Sequence, residues 1–139
     1  MLKEFGGKYP IIAIVSDSYD IFKSTKRWAT ELRQEVIDSG SCVVIRPDSG
    51  KPSEIVLKVL ETLEEYLPAG DITTNAKGYK VLPDFFRVIQ GDGINYESII
   101  EIINTFTEAG WSADNVAFGM GGGLLQQLDR DTQKFAMKA

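Results

Sequence analysis

The 139-residue sequence contains no histidine at all. That removes the commonest general base near neutral pH and the commonest metal ligand, so Ser-His-Asp and Cys-His chemistry and His-based zinc sites are excluded for this chain by itself. Any chemistry rests on carboxylates, Arg, Lys, Tyr or the backbone. Cysteine occurs once, as Cys42 in the apolar run Cys-Val-Val-Ile. No intrachain disulfide can form, and a buried structural thiol in a reducing compartment is expected. Positive charge is in deficit, since 15 Lys and Arg against 20 Asp and Glu leave a net charge of −5. No nucleic acid and no anionic membrane is therefore expected as a partner, although a local Arg cluster can still hold a small phosphate. Long apolar runs are also missing: the longest, Ile11 to Val15, falls far short of the ~20 residues that span a bilayer. The first residues, Met-Leu-Lys-Glu-Phe-Gly-Gly-Lys, lack the apolar core of a signal peptide. A soluble, cytoplasmic, single domain over residues 1–139 is the expectation.

What the sequence does have is alternation. Short apolar runs rich in β-branched residues alternate with longer stretches whose apolar residues recur every three or four positions, an α/β signature. Ile11 to Val15 reads as a strand buried on both faces, as parallel strands are. From Asp20 to Asp38, Ile21, Thr25, Trp28, Leu32 and Val36 line one face of a predicted helix, with Gly40 supplying a left-handed cap. Cys42 to Ile45 predicts a second strand, stopped by Pro47. Pro52 and Ser53 then open a helix whose apolar stripe is Ile55, Val56, Val59, Leu60, Leu63 and Leu67. Residues 69–84 are mostly polar and predict an excursion outside the repeating unit. Arg87 to Gln90 predicts a third strand, and a helix from Asn95 or Tyr96 turns Ile99, Ile100, Ile103 and Phe106 inward. Val116 to Phe118 predicts a fourth strand, and Trp28, Phe106 and Trp111 are expected in the core. About four consecutive βα units with parallel strands fit a partial (β/α)8 TIM-like barrel, with a small doubly wound sheet as the alternative.

Each predicted strand runs directly into a polar or glycine-containing turn. These are Ser16-Asp17-Ser18-Tyr19-Asp20, Arg46-Pro47-Asp48-Ser49-Gly50, Gly91-Asp92-Gly93 and Gly119-Met120-Gly121-Gly122-Gly123. Singly each has a structural explanation, Asp17 or Asp20 as a helix N-cap and the others as ordinary turns. Together they fall on the C-terminal side of successive strands, where residues far apart in sequence converge on one cleft. The residue types suit a phosphorylated sugar. Arg46 offers a planar, permanently charged fork to a phosphate or a carboxylate. Gly121, Gly122 and Gly123 let backbone N–H groups approach phosphate oxygens, with the N-terminus of a helix near Leu124 behind them. Asp48 and Asp92 can accept hydrogen bonds from vicinal ribose hydroxyls or hold a Mg2+ against a pyrophosphate. Arg130, a helical turn or two further on, either reaches the same anion or forms a solvated ion pair within Asp129-Arg130-Asp131. The glycine run matches neither G-x-G-x-x-G nor a P-loop, and no dedicated protein metal site is expected.

These segments resemble the nicotinamide phosphoribosyltransferases, members of the type II phosphoribosyltransferases. The resemblance is carried by Val15 to Ile21, Ile45 to Gly50, Arg87 to Gly93 and Phe118 to Asp131, in matching order and spacing. It implies transfer of a phosphoribosyl group from 5-phosphoribosyl 1-pyrophosphate, taken with Mg2+, to nicotinamide, giving nicotinamide mononucleotide and pyrophosphate in NAD salvage. It implies catalytic parts for Asp17 and Asp48, with Asp17 near the catalytic His and the magnesium-pyrophosphate end. Substrate contacts are implied for Arg46, Asp48, Gly91 and Asp92, the last on the ribose hydroxyls. Gly121, Gly122, Gly123 and Arg130 are implied to hold the 5-phosphate. Carboxylates that stabilise positive charge developing at the ribose C1, and Arg and backbone donors that fix phosphates, are compatible with each assignment.

The sequence also departs from the pattern. Members of the family are several times longer, and their N-terminal half supplies aromatics that stack on nicotinamide, an Asp that reads its carboxamide and the His that ATP phosphorylates. Without a His here, ATP is not expected to act on this chain. Met120 replaces the Ser usual in the family's glycine motif, which leaves the backbone donors in place. The sequence therefore reads as a C-terminal barrel fragment carrying the ribose- and phosphate-binding half and inactive by itself. A non-catalytic, subunit-like module that complements a separate N-terminal half is the rival reading. Either predicts association, as a homodimer or with the missing half, because part of a barrel exposes strand edges and apolar side chains.

Overall fold

A computed structural model of the chain describes residues 2–121. After a short helix α1 (Leu2–Phe5), the elements run β1 (Ile11–Val15), α2 (Ile21–Ala29), α3 (Arg33–Ser39), β2 (Cys42–Arg46) and α4 (Pro52–Tyr66). There follow β3 (Thr73–Thr74), β4 (Lys80–Val81), β5 (Phe86–Gln90), α5 (Tyr96–Glu108), a 3-10 turn (Ala113–Asn115) and β6 (Val116–Phe118). β1, β2, β5 and β6 form one parallel sheet whose spatial order is their chain order. Gly122, Gly123 and Arg130 lie outside the described residues. Among the described residues no helix is long and apolar enough to cross a membrane.

The register divides the sheet into two unlike faces. One carries Val43 and Ile45 of β2, Phe86 and Val88 of β5 and Val116 of β6. These join the buried residues of α2 to α5 in a single core cluster, including Ile21, Val36, Val59, Leu60, Leu63, Ile102 and Phe106. Among the described residues α2 to α5 thus pack on one side, whereas a doubly wound sheet carries helices on both. The other face holds Ile11, Ala13 and Val15 of β1 with Cys42, Val44 and Arg46 of β2.

That division corrects the expectation that the first strand is buried on both faces. Ile12 is buried, but Ile11 and Val15 are 63% and 47% exposed. Among the described strands β1 pairs with β2 alone, and its outward row projects where no described helix packs. Cys42, in the same open row, is only partly buried, and burial pushes its thiol pKa up, as an inert structural thiol requires.

The helix expected over residues 20–38 is two helices. Asp20 caps α2, its carboxylate accepting from the N–H groups of Phe22 and Lys23 at 3.0 and 3.1 Å. The break comes at Thr30, whose N–H and hydroxyl both go to the Lys26 carbonyl and whose backbone leaves the helical region at φ −115° and ψ −83°. Leu32 then turns its N–H to Arg27, one residue beyond the helical partner. α3 begins without a side-chain cap and is held instead by a bidentate Arg33–Asp71 pair at 2.8 and 2.9 Å. In α5, Ile102 rather than Ile100 faces the core. The stripe is Ile99, Ile102, Ile103 and Phe106, spaced 0, 3, 4 and 7, and Ile100 lies off it. Trp111 and Phe106 are fully buried, while Trp28 packs half-buried against the core.

The polar excursion is an antiparallel hairpin, β3 with β4. Asn75 builds its turn by accepting from the N–H groups of Lys77 and Tyr79, both at 3.0 Å. Buried Asn115 fastens the hairpin to the sheet. Its Oδ1 accepts from Leu82 N–H at 2.7 Å, and its Nδ2 donates to the carbonyls of Lys80 and Ser112, both at 2.9 Å. Asn115→Ala strands the buried Leu82 N–H and is expected to destabilise the fold by about 1–3 kcal/mol in urea unfolding; a change below about 0.5 kcal/mol would remove Asn115 from this role.

Candidate functional site at the strand ends

Parallel strands laid in chain order bring their C-terminal ends side by side. Arg46 closes β2 in the open-face row, opposite Val15 of β1. Its Nη2 donates to Asp48 Oδ1 at 2.9 Å, across the buried Pro47. The pair is partly open, with side chains 42% and 34% exposed. The Arg46 Nε is buried and has no partner among the described residues, so one arm of the fork is committed and another is not.

The glycines at the ends of β5 and β6 shape the space beside that guanidinium. A Cβ placed on Gly91 would lie 3.8 Å from both Cζ and Nη2 of Arg46, and one on Gly119 would lie 3.6 Å from Gly91 Cα. Alanine fits at these distances, but a longer side chain at 91 presses on the fork. Gly119 N–H donates to the Gln90 carbonyl at 2.9 Å, which carries the pairing of β5 and β6 one step past their last strand residues.

Asp17 faces inward along the sheet end rather than outward. Its Oδ2 accepts from Asp48 N–H at 2.7 Å and from the Ser49 hydroxyl at 2.6 Å. Burial alone would raise its pKa, but the donors from Ser49, Asp48 and neighbouring backbone outweigh that, and the carboxyl lies below its ordinary 3.8. Asp92 is exposed. Its carbonyl accepts from Gln90 Nε2 at 3.1 Å, and Gly93 follows in the left-handed region at φ 62°. The Ser98 hydroxyl donates to the Gly93 carbonyl at 3.1 Å, and Ser98 and Asn95 form the capping box of α5. The Gly-Asp-Gly turn is thus fastened to a helix start.

The structure therefore brings Asp17, Arg46, Asp48 and Gly91 together, with Asp92 on the adjoining turn, and Gly121 is exposed at the end of the described residues. Sequence reasoning missed Gln90 and Ser49. Gln90 had a signal, because the alternation Phe86, Val88, Gln90 places a polar side chain on the buried face. Ser49 had none, since its partner lies 32 positions away. A separate cavity of about 480 Å3 lies between the Asn75–Tyr79 turn and the segment from Trp111 to Asp114, beside the N-terminal ends of β5 and β6 and away from this site.

The fold and these strand ends define an α/β protein whose polar site is assembled at the carboxyl edge of a parallel sheet. Comparison with known proteins makes the assignment specific. The profile of the nicotinate phosphoribosyltransferase (NAPRTase) family matches residues 1–139, and the chain belongs to that family. It is 55% identical over 139 residues to a nicotinamide phosphoribosyltransferase of Xanthomonas campestris pv. campestris, covering 99% of this chain and 29% of that protein. Nicotinamide phosphoribosyltransferases of Mycoplasma pneumoniae and Acinetobacter baylyi are 30% and 31% identical, over 99% and 94% of this chain and 32% and 30% of theirs. The chain thus spans about three-tenths of the length of the curated relatives it matches.

The depressed Asp17 carboxyl gives the site a pH signature. A group whose folded pKa lies below its unfolded value stabilises the fold above the unfolded value, and that stability is lost as pH falls through the folded one. The stability advantage of wild type over Asp17→Asn is expected to be full at neutral pH and to shrink as pH drops below 3.8. Denaturant melts from pH 7 to pH 2 check this, and a constant difference would contradict it.

Proposed function

We propose that the chain supplies the ribose- and phosphate-binding strand ends of a phosphoribosyltransferase of NAD salvage, in which nicotinamide and 5-phosphoribosyl 1-pyrophosphate give nicotinamide mononucleotide and pyrophosphate. The observation that carries this reading is the Arg46–Asp48 pair at the carboxyl edge of the sheet, with an uncommitted Nε on the arginine and side-chain-free Gly91 beside it. Family membership and relatives named as nicotinamide phosphoribosyltransferases support it.

In this reading the strand ends form one sector of a (β/α)8 barrel, consistent with helices on a single face. Arg46 binds an anionic or amide oxygen of the substrate, and Asp92 accepts from the ribose hydroxyls. As pyrophosphate leaves, positive charge grows at the ribose C1, and the carboxylates of Asp48 and Asp17 lower the energy of that charge. Gly121, Gly122, Gly123 and Arg130 take the 5-phosphate. Mg2+, implied as the companion of the pyrophosphate, would find oxygen ligands in Asp48 or Asp92 and would neutralise charge on the leaving group. With no His for ATP to phosphorylate, the chain acts here as a binding unit.

Isothermal titration with Mg2+-loaded 5-phosphoribosyl 1-pyrophosphate tests the reading. Wild type is expected to bind, and Arg46→Ala to lose about 1.5–3 kcal/mol of affinity through a missing charge-assisted contact. Equal affinity in the two would reject the assignment.

A subunit-like role is favoured by a separate observation, the open row of Ile11, Ala13 and Val15. We read this row as an association surface, covered most simply by a second copy of the chain, because exposed apolar strand faces seek burial. Light scattering at micromolar concentration is expected to give a dimer mass, and a cooperative monomer would overturn it.

A further inference from the structure

We propose that Ser49 is a positioning residue: its hydroxyl, together with the Asp48 N–H, holds the Asp17 carboxylate across the ends of β1 and β2 and thereby sets where the Arg46–Asp48 pair points. The argument follows the connectivity. Asp17 Oδ2 receives the Ser49 hydroxyl at 2.6 Å and the Asp48 N–H at 2.7 Å. Asp48 therefore carries two constraints, its backbone tied to β1 and its carboxylate tied to Arg46 at 2.9 Å. A residue anchored at both N–H and Oδ1 has little freedom about its Cα, so the direction of the arginine fork is inherited from the Asp17 clamp.

The rest of the turn is braced independently, which leaves Ser49 as the adjustable member. Pro47 is buried and fixes its own φ. Gly50 sits at φ 85° with the Ile55 side chain 2.7 Å from where a Cβ would be, so the exit from the turn is pinned against α4. Ser16 N–H to the Arg46 carbonyl at 3.0 Å extends the β1–β2 pairing up to the clamp. Ser49 itself is exposed, and its hydroxyl has a partner 32 positions away, on the neighbouring strand end. A serine serving only its own turn bonds within two or three residues. The charged groups meeting here are Asp17, Asp48 and Arg46, while Asp20 is occupied at the start of α2.

The test compares wild type with Ser49→Ala, which deletes the hydroxyl, and Ser49→Thr, which keeps it. One readout is the Arg46 Nε–H resonance, which reports the fork without any ligand. The other is affinity for Mg2+-loaded 5-phosphoribosyl 1-pyrophosphate, which rests on the function proposed above. Ser49→Ala is expected to shift the resonance and weaken binding roughly three- to tenfold, the effect of one lost hydrogen bond, with a melting temperature lowered by no more than a few degrees. Ser49→Thr restores both. A resonance and an affinity that stay at wild-type values in Ser49→Ala overturn the proposal, as does a loss that Ser49→Thr fails to rescue. If wild type binds no ligand, the proposed function fails while the resonance still decides the positioning role: a shift restored by threonine supports it, and no shift rejects it.

Discussion

The strand ends keep their geometry because α4 is driven into the sheet. Val56, Val59, Leu60 and Leu63 are wholly buried on α4, as are Val43, Ile45, Phe86 and Val88 on β2 and β5, within one core cluster. Each such side chain gains about 1.5–3 kcal/mol on burial, comparable to one charge-assisted hydrogen bond at the site, and it is their sum that outweighs the bonds there. β2 and β5 are the middle strands of the sheet, so the seam that fixes Arg46 next to Gly91 is also the one most firmly buried. The polar turns above it need only modest forces to hold their form, because the strands that deliver them do not shift.

Burying one face only has a consequence for which polar residues the fold can spare. Two arginines occupy the open face on the central strands, Arg46 at the carboxyl end of β2 and Arg87 near the start of β5. Arg87 is spent on structure: its Nη1 donates to the carbonyls of Pro83 at 2.8 Å and Phe86 at 2.6 Å, and its Nη2 reaches Asp84. Arg46 has a single carboxylate partner and a buried Nε with none among the described residues. A buried donor without a partner carries a desolvation penalty of about 1–3 kcal/mol. Of the two, Arg46 is the one whose geometry a ligand would complete.

Sequence reasoning recovered most of the fold because its signals are local. The β-branched run at Ile11, the proline opening α4, Gly40 ending α3 at φ 65° and Asn95 opening α5 each declare themselves within a few residues. Its errors came where the decision was non-local. Nothing in Ile11 to Val15 tells that the strand pairs on one side alone among the described strands, since that depends on what lies beside it. The helix that follows the break at Thr30 is held by Arg33 finding Asp71, 38 positions away. The strand-end set was legible as residue types in turns, and its internal wiring was not. Asp17 read as a helix N-cap or, from the resemblance, as a catalytic carboxylate, and its Oδ2 is engaged by Asp48 and Ser49.

That wiring separates the two ends of the sheet by how their polar groups are used. At the amino ends of β5 and β6 most of the described polar groups are paired with one another, the buried Trp111 Nε1 excepted. Asn115 bridges Leu82, Lys80 and Ser112, and Lys80 reaches Glu64 at 2.7 Å while its ammonium sits 4.9 Å from the centre of the Trp111 ring. Networks satisfied in this way rigidify the fold. At the carboxyl ends the pairing is incomplete: Asp92 is exposed, Arg46 keeps an unmatched donor, and Gly91, Gly119 and Gly121 present backbone without side chains. A fold that pairs most polar groups at one edge and leaves more of them open at the other sets its bracing apart from its open polar surface, so substitutions in the strand-end turns can alter that surface without dismantling the hairpin and core that support it.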